Sequence, residues 1–135
     1  MAAPFEVELV TPERVVFSGQ ATFLSVPGVT GSLGILANHA PLLAELKIGE
    51  AVLKAVDGTE HYFYIGGGFL EVSQNRVTIL AEQSMAENEI DTEEAARLER
   101  EGRERLAGLS DSEHAAVARI EAQRGAAMLK VVRRK

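Results

Sequence analysis

The chain has no cysteine among its 135 residues, which excludes disulfides, thiolate metal ligands and a cysteine nucleophile and fits a cytoplasmic protein. No basic segment followed by an apolar one opens it, and its longest apolar runs are far too short to span a bilayer. The expectation is a soluble chain that is not itself secreted. A basic excess is missing too: the net charge is −6, whereas a general nucleic-acid binder carries a basic patch. Proline does not occur after Pro41, nor any aromatic after Phe69, and nine of the twelve glycines lie at or before Gly68. From residue 87 onward Ala, Glu, Arg and Leu dominate. That shift predicts a domain boundary, with one domain over residues 1–86 and a second over residues 87–135.

What the first domain contains is alternation. Residues 5–10 alternate apolar and polar, the period of a half-buried strand, and Pro12 ends it. Residues 15–17 and 21–26 read as further strands, the latter closed by the turn-favouring pair Pro27-Gly28. Residues 50–56 and 60–65 flank Asp57-Gly58, the strongest hairpin signal in the chain. Residues 67–72 and 76–80 flank Ser73-Gln74-Asn75, a second hairpin. At least seven short strands with regular turns predict an antiparallel β-sandwich or flattened barrel. Between them, residues 31–41 read as a shaped loop, bent at Gly31 and Gly34, polar at Asn38-His39 and fixed at its exit by Pro41.

The second domain changes period. Asp91 or Thr92 can cap a helix whose first turn is acidic. Ala95, Leu98, Gly102, Leu106 and Leu109 share one stripe at helical spacing, with Gly102 permitting close approach of a partner. Glu93–Arg97, Glu99–Arg103 and Glu101–Arg105 are spaced for i,i+4 pairing. Gly108-Leu109-Ser110 ends the helix, and Ser110 or Asp111 caps a second one. There, Ala116, Val117, Ile120, Ala127, Met128 and Val131 form the expected packing face, with Arg124 among them. Residues 87–105 carry a net charge of −4 and residues 106–135 a net charge of +3, which favours antiparallel docking. The outline is an α-helical hairpin with thin apolar seams. Because short isolated helices are marginal in water, it must lean on the sandwich or on another protein.

Catalytic chemistry finds little footing. Gly66-Gly67-Gly68 precedes a strand rather than a helix N-terminus, so it reads as a tight turn or a close subunit contact, not a phosphate cradle. His39, His61 and His114 lie on separate elements without metal-ligand spacing. His61 reads as a solvent-facing strand residue, and His39 either as a loop histidine bonding a nearby carbonyl or as an interface residue. No serine sits in a nucleophile elbow, and Glu71 and Glu82 belong to strand pattern rather than to an acid–base pair. The C-terminal bases, with no acid after Glu121, complement a helix dipole. Arg124 inside an apolar stripe is not explained that way, since a buried charge needs a partner.

Three motifs in order carry a family resemblance over residues 5–86. Gly31-Ser32-Leu33-Gly34-Ile35-Leu36-Ala37-Asn38-His39-Ala40-Pro41 resembles the G-x-L-G-I-L-x-x-H-x-P signature of the epsilon subunit of bacterial F-type ATP synthases. Val10-Thr11-Pro12-Glu13-Arg14 with Phe17-Ser18-Gly19 agrees upstream. Gly67-Gly68-Phe69-Leu70-Glu71-Val72 and Val77-Thr78-Ile79-Leu80-Ala81 agree downstream.

The resemblance implies a non-catalytic subunit of the central stalk of a proton-translocating ATP synthase, peripheral on the cytoplasmic face of the bacterial cell membrane. By analogy the sandwich grips the gamma subunit and sits on the ring of c subunits. The helical hairpin lies folded on the sandwich or extends toward the alpha and beta subunits, where it blocks ATP hydrolysis. Carried onto this sequence, the c-ring contacts are Pro27, Gly28, Gly31, Ser32, Leu33 and Gly34, and the gamma contacts are His39, Ala44 and Gly66. The inhibitory set is Arg119, Arg124, Lys130, Arg133, Arg134 and Lys135. Some relatives bind ATP through an Ile/Leu-Asp-x-x-Arg-Ala motif, which implies a weak nucleotide site at Ile90, Asp91, Arg97 and Arg124. Here Glu94 replaces the motif arginine, which opposes ATP as a regulatory ligand; no other cofactor is implied. Ser32 stands where many relatives have an acid, Ala37 where proline is frequent, and Gly66 where serine is frequent. An alternative is a free-standing, small-ligand-binding sandwich with a helical dimerisation arm.

Overall fold

The structure is a computed structural model and describes residues 2–108 and 113–133, without the side chain of Glu113. Strand β1 (Phe5–Val10) buries Phe5, Val7 and Leu9 and turns the alternate residues outward, as its period requires. Three strands of 14 residues each follow in the chain: β2 (Val15–Gly28), β4 (Leu42–Ala55) and β5 (Glu60–Ser73). Between and after them come the short strands β3 (Gly31–Ile35), β6 (Arg76–Ala81) and β7 (Ser84–Ala86). The sheet order is β1-β6-β5-β4-β2-β3, with β7 on β5 and β1 also paired to β2. That last pairing closes five strands on themselves, giving the flattened barrel expected from the spacing of turns. The ladders are antiparallel except between β1 and β6, which run parallel.

The expected short strands are halves of longer ones. Residues 15–17 and 21–26 belong to one β2, which pairs with β1 through its first half and with β3 and β4 through its second. Residues 31–35 are strand, not loop, and the turn falls at Val29-Thr30 rather than at Pro27-Gly28. Gly66-Gly67-Gly68 is no turn: β5 continues through it. The glycines instead form a notch where the neighbouring chain crosses from the β6 ladder to the β7 ladder. The Gly66 amide donates to the Gln83 carbonyl at 2.8 Å, and the Glu82 amide to the Gly67 carbonyl at 2.9 Å. A Cβ at Gly68, whose φ is +142°, would lie 2.1 Å from the Leu80 carbonyl oxygen. Only glycine fits that conformation and that contact.

Both hairpins read from the sequence are present. Gly58 takes φ +89° between β4 and β5, and Gln74 and Asn75 take φ 52° and 61° between β5 and β6. Positive φ at both central residues matches the twist of the strands they join. Asn75 earns its conformation by tethering two other segments, accepting from the Asn38 amide at 2.7 Å and donating to the Pro4 carbonyl at 3.1 Å.

Helix α1 (Thr92–Ala107) is capped by Asp91, whose carboxylate accepts from the Glu93 and Glu94 amides. Helix α2 (Glu113–Val132) lies back along α1 and rests on β4 and β5. Leu109, Ser110 and Asp111, expected to end one helix and cap the next, fall outside the described residues. The seam between the helices is made of small residues. A Cβ at Gly102 would lie 2.7 Å from the Ala122 nitrogen, and one at Gly125 would lie 2.5 Å from the Glu99 nitrogen. The packing face of α2 differs from the expected one: Ala115, Ala118, Gly125 and Leu129 are buried, whereas Ala116, Val117 and Ile120 are exposed. Among the expected members, Ala127 and Val131 are buried, in a second apolar cluster with Tyr64, Ile90, Ala95 and Leu129 that joins the hairpin to the sandwich. Of the expected helix pairs, Arg103–Glu99 forms at 3.5 Å. Arg97 instead bridges Glu94 and Glu101, and Arg105 reaches across to Glu121 on α2.

Candidate functional site

The first candidate surface is the β2–β3 hairpin. Register places Pro27 opposite Ser32 and Gly28 opposite Gly31, so the six residues Pro27, Gly28, Gly31, Ser32, Leu33 and Gly34 come together. Pro27 and Gly28 are buried and leave no side-chain surface, while Ser32 and Gly34 are exposed and Gly31 and Leu33 half-buried. A Cβ at Gly28 would meet the Gly31 carbonyl oxygen at 2.6 Å, which explains glycine at that rung. At the tip stands Val29, about half exposed at 49%, an apolar residue the motif reading passed over.

The second is the outer face of the sheet. Phe69 on β5 pairs with Leu80 on β6, and Leu80 with Val10 on β1, so the three lie in one row. Phe69 is 51% and Leu80 55% exposed, and Leu43, one rung pair along β4, is 73% exposed. A shallow apolar depression of about 320 Å³ lies here, lined by Val10, Pro12, Phe69 and Leu80 among others. Exposing that much contiguous apolar surface is unfavourable for a free monomer unless something covers it. Register also places two of the residues read from the sequence. Ala44 is opposite the fully buried Leu70 and so faces inward, its outward neighbour being Leu43; Gly66 is buried with its amide committed to Gln83. His39 lies half-buried, its Nδ1 2.7 Å from the Ala40 carbonyl oxygen, in the loop that Asn75 ties down. His61 does not simply face solvent: its ring lies beside those of Phe17 and Phe63, with centroids 5.8 and 6.5 Å away.

The third is the helical hairpin. Arg119 and Lys130 are exposed on α2 and Arg133 just after it; Arg134 and Lys135 lie outside the described residues. Arg124 is half-buried at an open cleft of about 750 Å³ between α2 and strands β4 and β5, lined also by Lys47, Glu50, Glu82 and Lys130. Its Nε is buried and has no hydrogen-bond partner among the described residues. Beneath it Tyr64 is fully buried and donates its hydroxyl to Gln83 at 3.0 Å. Burial pushes the Tyr64 hydroxyl up to about 12, with the Arg124 charge opposing the shift and Glu82 adding to it.

The four residues of the expected nucleotide site are not brought together. Ile90 is buried in the second cluster, and the Asp91 carboxylate is used in capping α1. Arg97 is held on the exposed face by Glu94 at 3.2 Å and Glu101 at 3.1 Å, while Arg124 lies at the cleft on the other side of the hairpin. Glu94 thus does more than replace an arginine; it neutralises the nearest substitute. No helix among the described residues is long and apolar enough to cross a membrane.

A family model described as "ATP synthase, Delta/Epsilon chain, beta-sandwich domain" matches residues 4–87, the whole of the barrel just described. The chain belongs to that family. The ATP synthase epsilon chain of Nitratidesulfovibrio vulgaris is 36% identical over 131 residues, which span 97% of each chain. That of Carboxydothermus hydrogenoformans is 45% identical over 108 residues, 79% of each chain. This epsilon-type chain is therefore a non-catalytic subunit of an ATP synthase. Two solved assemblies contain chains of the same fold. A chain of the Euglena gracilis mitochondrial ATP synthase (OSCP, F1 and c-ring, rotational state 1) matches with a TM-score of 0.77 and 20% identity, covering 95% of this chain and 78% of that one. A chain of the central stalk and c-ring of the Tetrahymena thermophila mitochondrial ATP synthase matches with a TM-score of 0.63 and 18% identity, covering 94% and 95%.

Proposed function

We propose that this epsilon-type chain works in the central stalk of a proton-translocating ATP synthase, held peripherally on the cytoplasmic face of the bacterial membrane. Residues 1–86 form the rotor domain and residues 87–135 a regulatory arm. The observation that carries the docking half is the row of half-buried Val10 with exposed Leu80 and Phe69, and exposed Leu43 beside it. Such a face suits a permanent partner, and the gamma subunit is that partner in this reading; His39, in the tethered loop, is assigned to the same interface. The β2–β3 hairpin, with Val29, Ser32 and Gly34 outward, faces the c ring.

The arm is the regulatory half. Its folded position rests on a small cluster around Tyr64 and on a seam of glycine and alanine, which bury little apolar area. Lifting it would free Arg124, whose buried Nε finds no partner among the described residues, to meet carboxylates on the alpha and beta subunits. With Arg119, Lys130, Arg133, Arg134 and Lys135 it would then brake ATP hydrolysis. Co-purification tests the docking half: Phe69→Glu with Leu80→Glu should leave the chain folded yet abolish its recovery with gamma. Undiminished recovery of that variant would refute the assignment of this face.

A further inference from the structure

The root of the helical hairpin is pinned to the barrel by one carboxylate. After β7 the chain makes a 3₁₀ turn (Glu87–Glu89), and the Glu89 side chain folds back to accept the Ala86 amide at 2.8 Å. The same oxygen, Oε1, receives the Arg14 guanidinium, also at 2.8 Å. Arg14 comes from the β1–β2 turn, 75 residues away in sequence. That turn is stiffened from within: the Thr11 amide donates to the Arg14 carbonyl at 2.9 Å, and the Thr11 hydroxyl oxygen accepts from the Glu13 and Arg14 amides at 3.3 Å. Both halves of the contact are therefore preorganised, which lowers the entropy lost in making it. Arg14 also draws the Glu89 carboxyl below the usual range, the mark of a carboxylate stabilised in its charged form.

The position of this contact gives it leverage. Ala86 is the last rung of β7 on β5, so Glu89 clasps the point where the sheet ends and the arm begins. The β1–β2 turn lies over the returning, C-terminal end of α2 as well: Thr11 and Arg14 share a cavity of about 350 Å³ with Met85 and with Met128 of α2. The ion pairs of Arg97, Arg103 and Arg105 stay within the hairpin and do not oppose its departure.

We propose that Arg14 and Glu89 form a latch that sets how often the hairpin leaves the barrel, with the Ala86 amide as its fixed base. This rests on the reading of the arm as a movable element. The latch is ionic and partly exposed, with side chains 44% and 37% accessible, so salt screens it and ionic strength tunes arm release.

Hydrogen exchange on the full-length chain and on Arg14→Gln, Glu89→Gln and the double variant separates the possibilities. Glutamine at 89 can still accept the Ala86 amide, so the charge pair alone is removed. Each single variant should speed exchange in residues 92–107 and 113–132 about two- to five-fold, the range for an exposed ion pair. Exchange in the core of β4 and β5 should not change, the double variant should add little to the singles, and 1 M salt should erase most of the difference. Unchanged arm exchange in both single variants would overturn the latch. Arm exchange as slow as that of the barrel core in the parent chain would overturn the movable-arm reading instead.

Discussion

Gly125→Ala puts the hairpin seam under direct test. A Cβ there would lie 2.5 Å from the Glu99 nitrogen, 2.6 Å from the Ala95 carbonyl oxygen and 2.9 Å from the Glu99 Cα. All three are backbone atoms, so no rotamer change relieves the clash. Restoring ordinary contact requires the helices to separate by about 1 Å, which loosens Ala95, Gly102 and Ala118 along the whole seam. Overpacking of this kind costs about 1–3 kcal/mol, and an immovable neighbour places it in the upper half of that range. Against it stands a gain of about 1 kcal/mol in helix propensity on replacing glycine by alanine. The net is about 1–2 kcal/mol against the docked hairpin, or about a 5- to 30-fold rise in its open population. Far-UV circular dichroism should show helix content unchanged or higher, while exchange protection of α1 and α2 falls and that of the barrel holds. Gln123→Ala, at an exposed position of α2, raises propensity without a clash and should not accelerate exchange. Protection equal to or above that of the parent chain in Gly125→Ala would refute the close-packed seam.

Alkaline pH reads the same junction through Tyr64. Its folded-state value, raised from 10.0 to about 12, means the barrel holds the neutral phenol. Stability is therefore full below pH 10 and falls as pH rises toward 12, by up to about 3 kcal/mol at about 1.4 kcal/mol per unit. In a Tyr62→Phe chain Tyr64 is the sole tyrosine, and its absorbance titration should lie well above that of the unfolded chain. A midpoint near 10 in the folded chain would contradict its burial. For nucleotide, Glu94 and Glu101 occupy Arg97, and Arg124 lies on the far side, so calorimetry should detect no ATP binding at micromolar concentration. Micromolar affinity would show that the arm rearranges around the ligand.

The parts of this fold that could be read in advance are the local ones. Phe5–Val10 alternates because one face of β1 is buried, and Asp57-Gly58 and Gln74-Asn75 carry the turn chemistry their φ angles demand. The three glycines at 66–68 misled because their need arises from a crossing neighbour, residues 81–84, which no local pattern announces. Residues 31–35 looked like loop because two glycines depress strand propensity, and pairing with β2 overrides that. On α2 the more hydrophobic Val117 and Ile120 drew the packing face away from Ala115, Ala118 and Gly125. Close packing chose smallness over hydrophobicity there. The motif named the family correctly; its glycines follow the β2–β3 register, which the loop reading of the same stretch did not reveal. Phe69, Leu80 and Val10 became a surface only once the register was known, and Arg14 with Glu89 joins residues too distant for any periodicity to link.

The most direct test of the two-part account is ATP hydrolysis by an ATP synthase assembled with the full chain or with a chain ending at residue 86. The barrel closes on its own core through the β1–β2 pairing, so the shortened chain should fold, assemble with gamma and support synthesis. Hydrolysis by that complex should rise above the level set by the full chain. If the shortened chain does not assemble, or if a complex confirmed to contain it hydrolyses ATP at the full-chain rate, the division into rotor domain and braking arm is wrong.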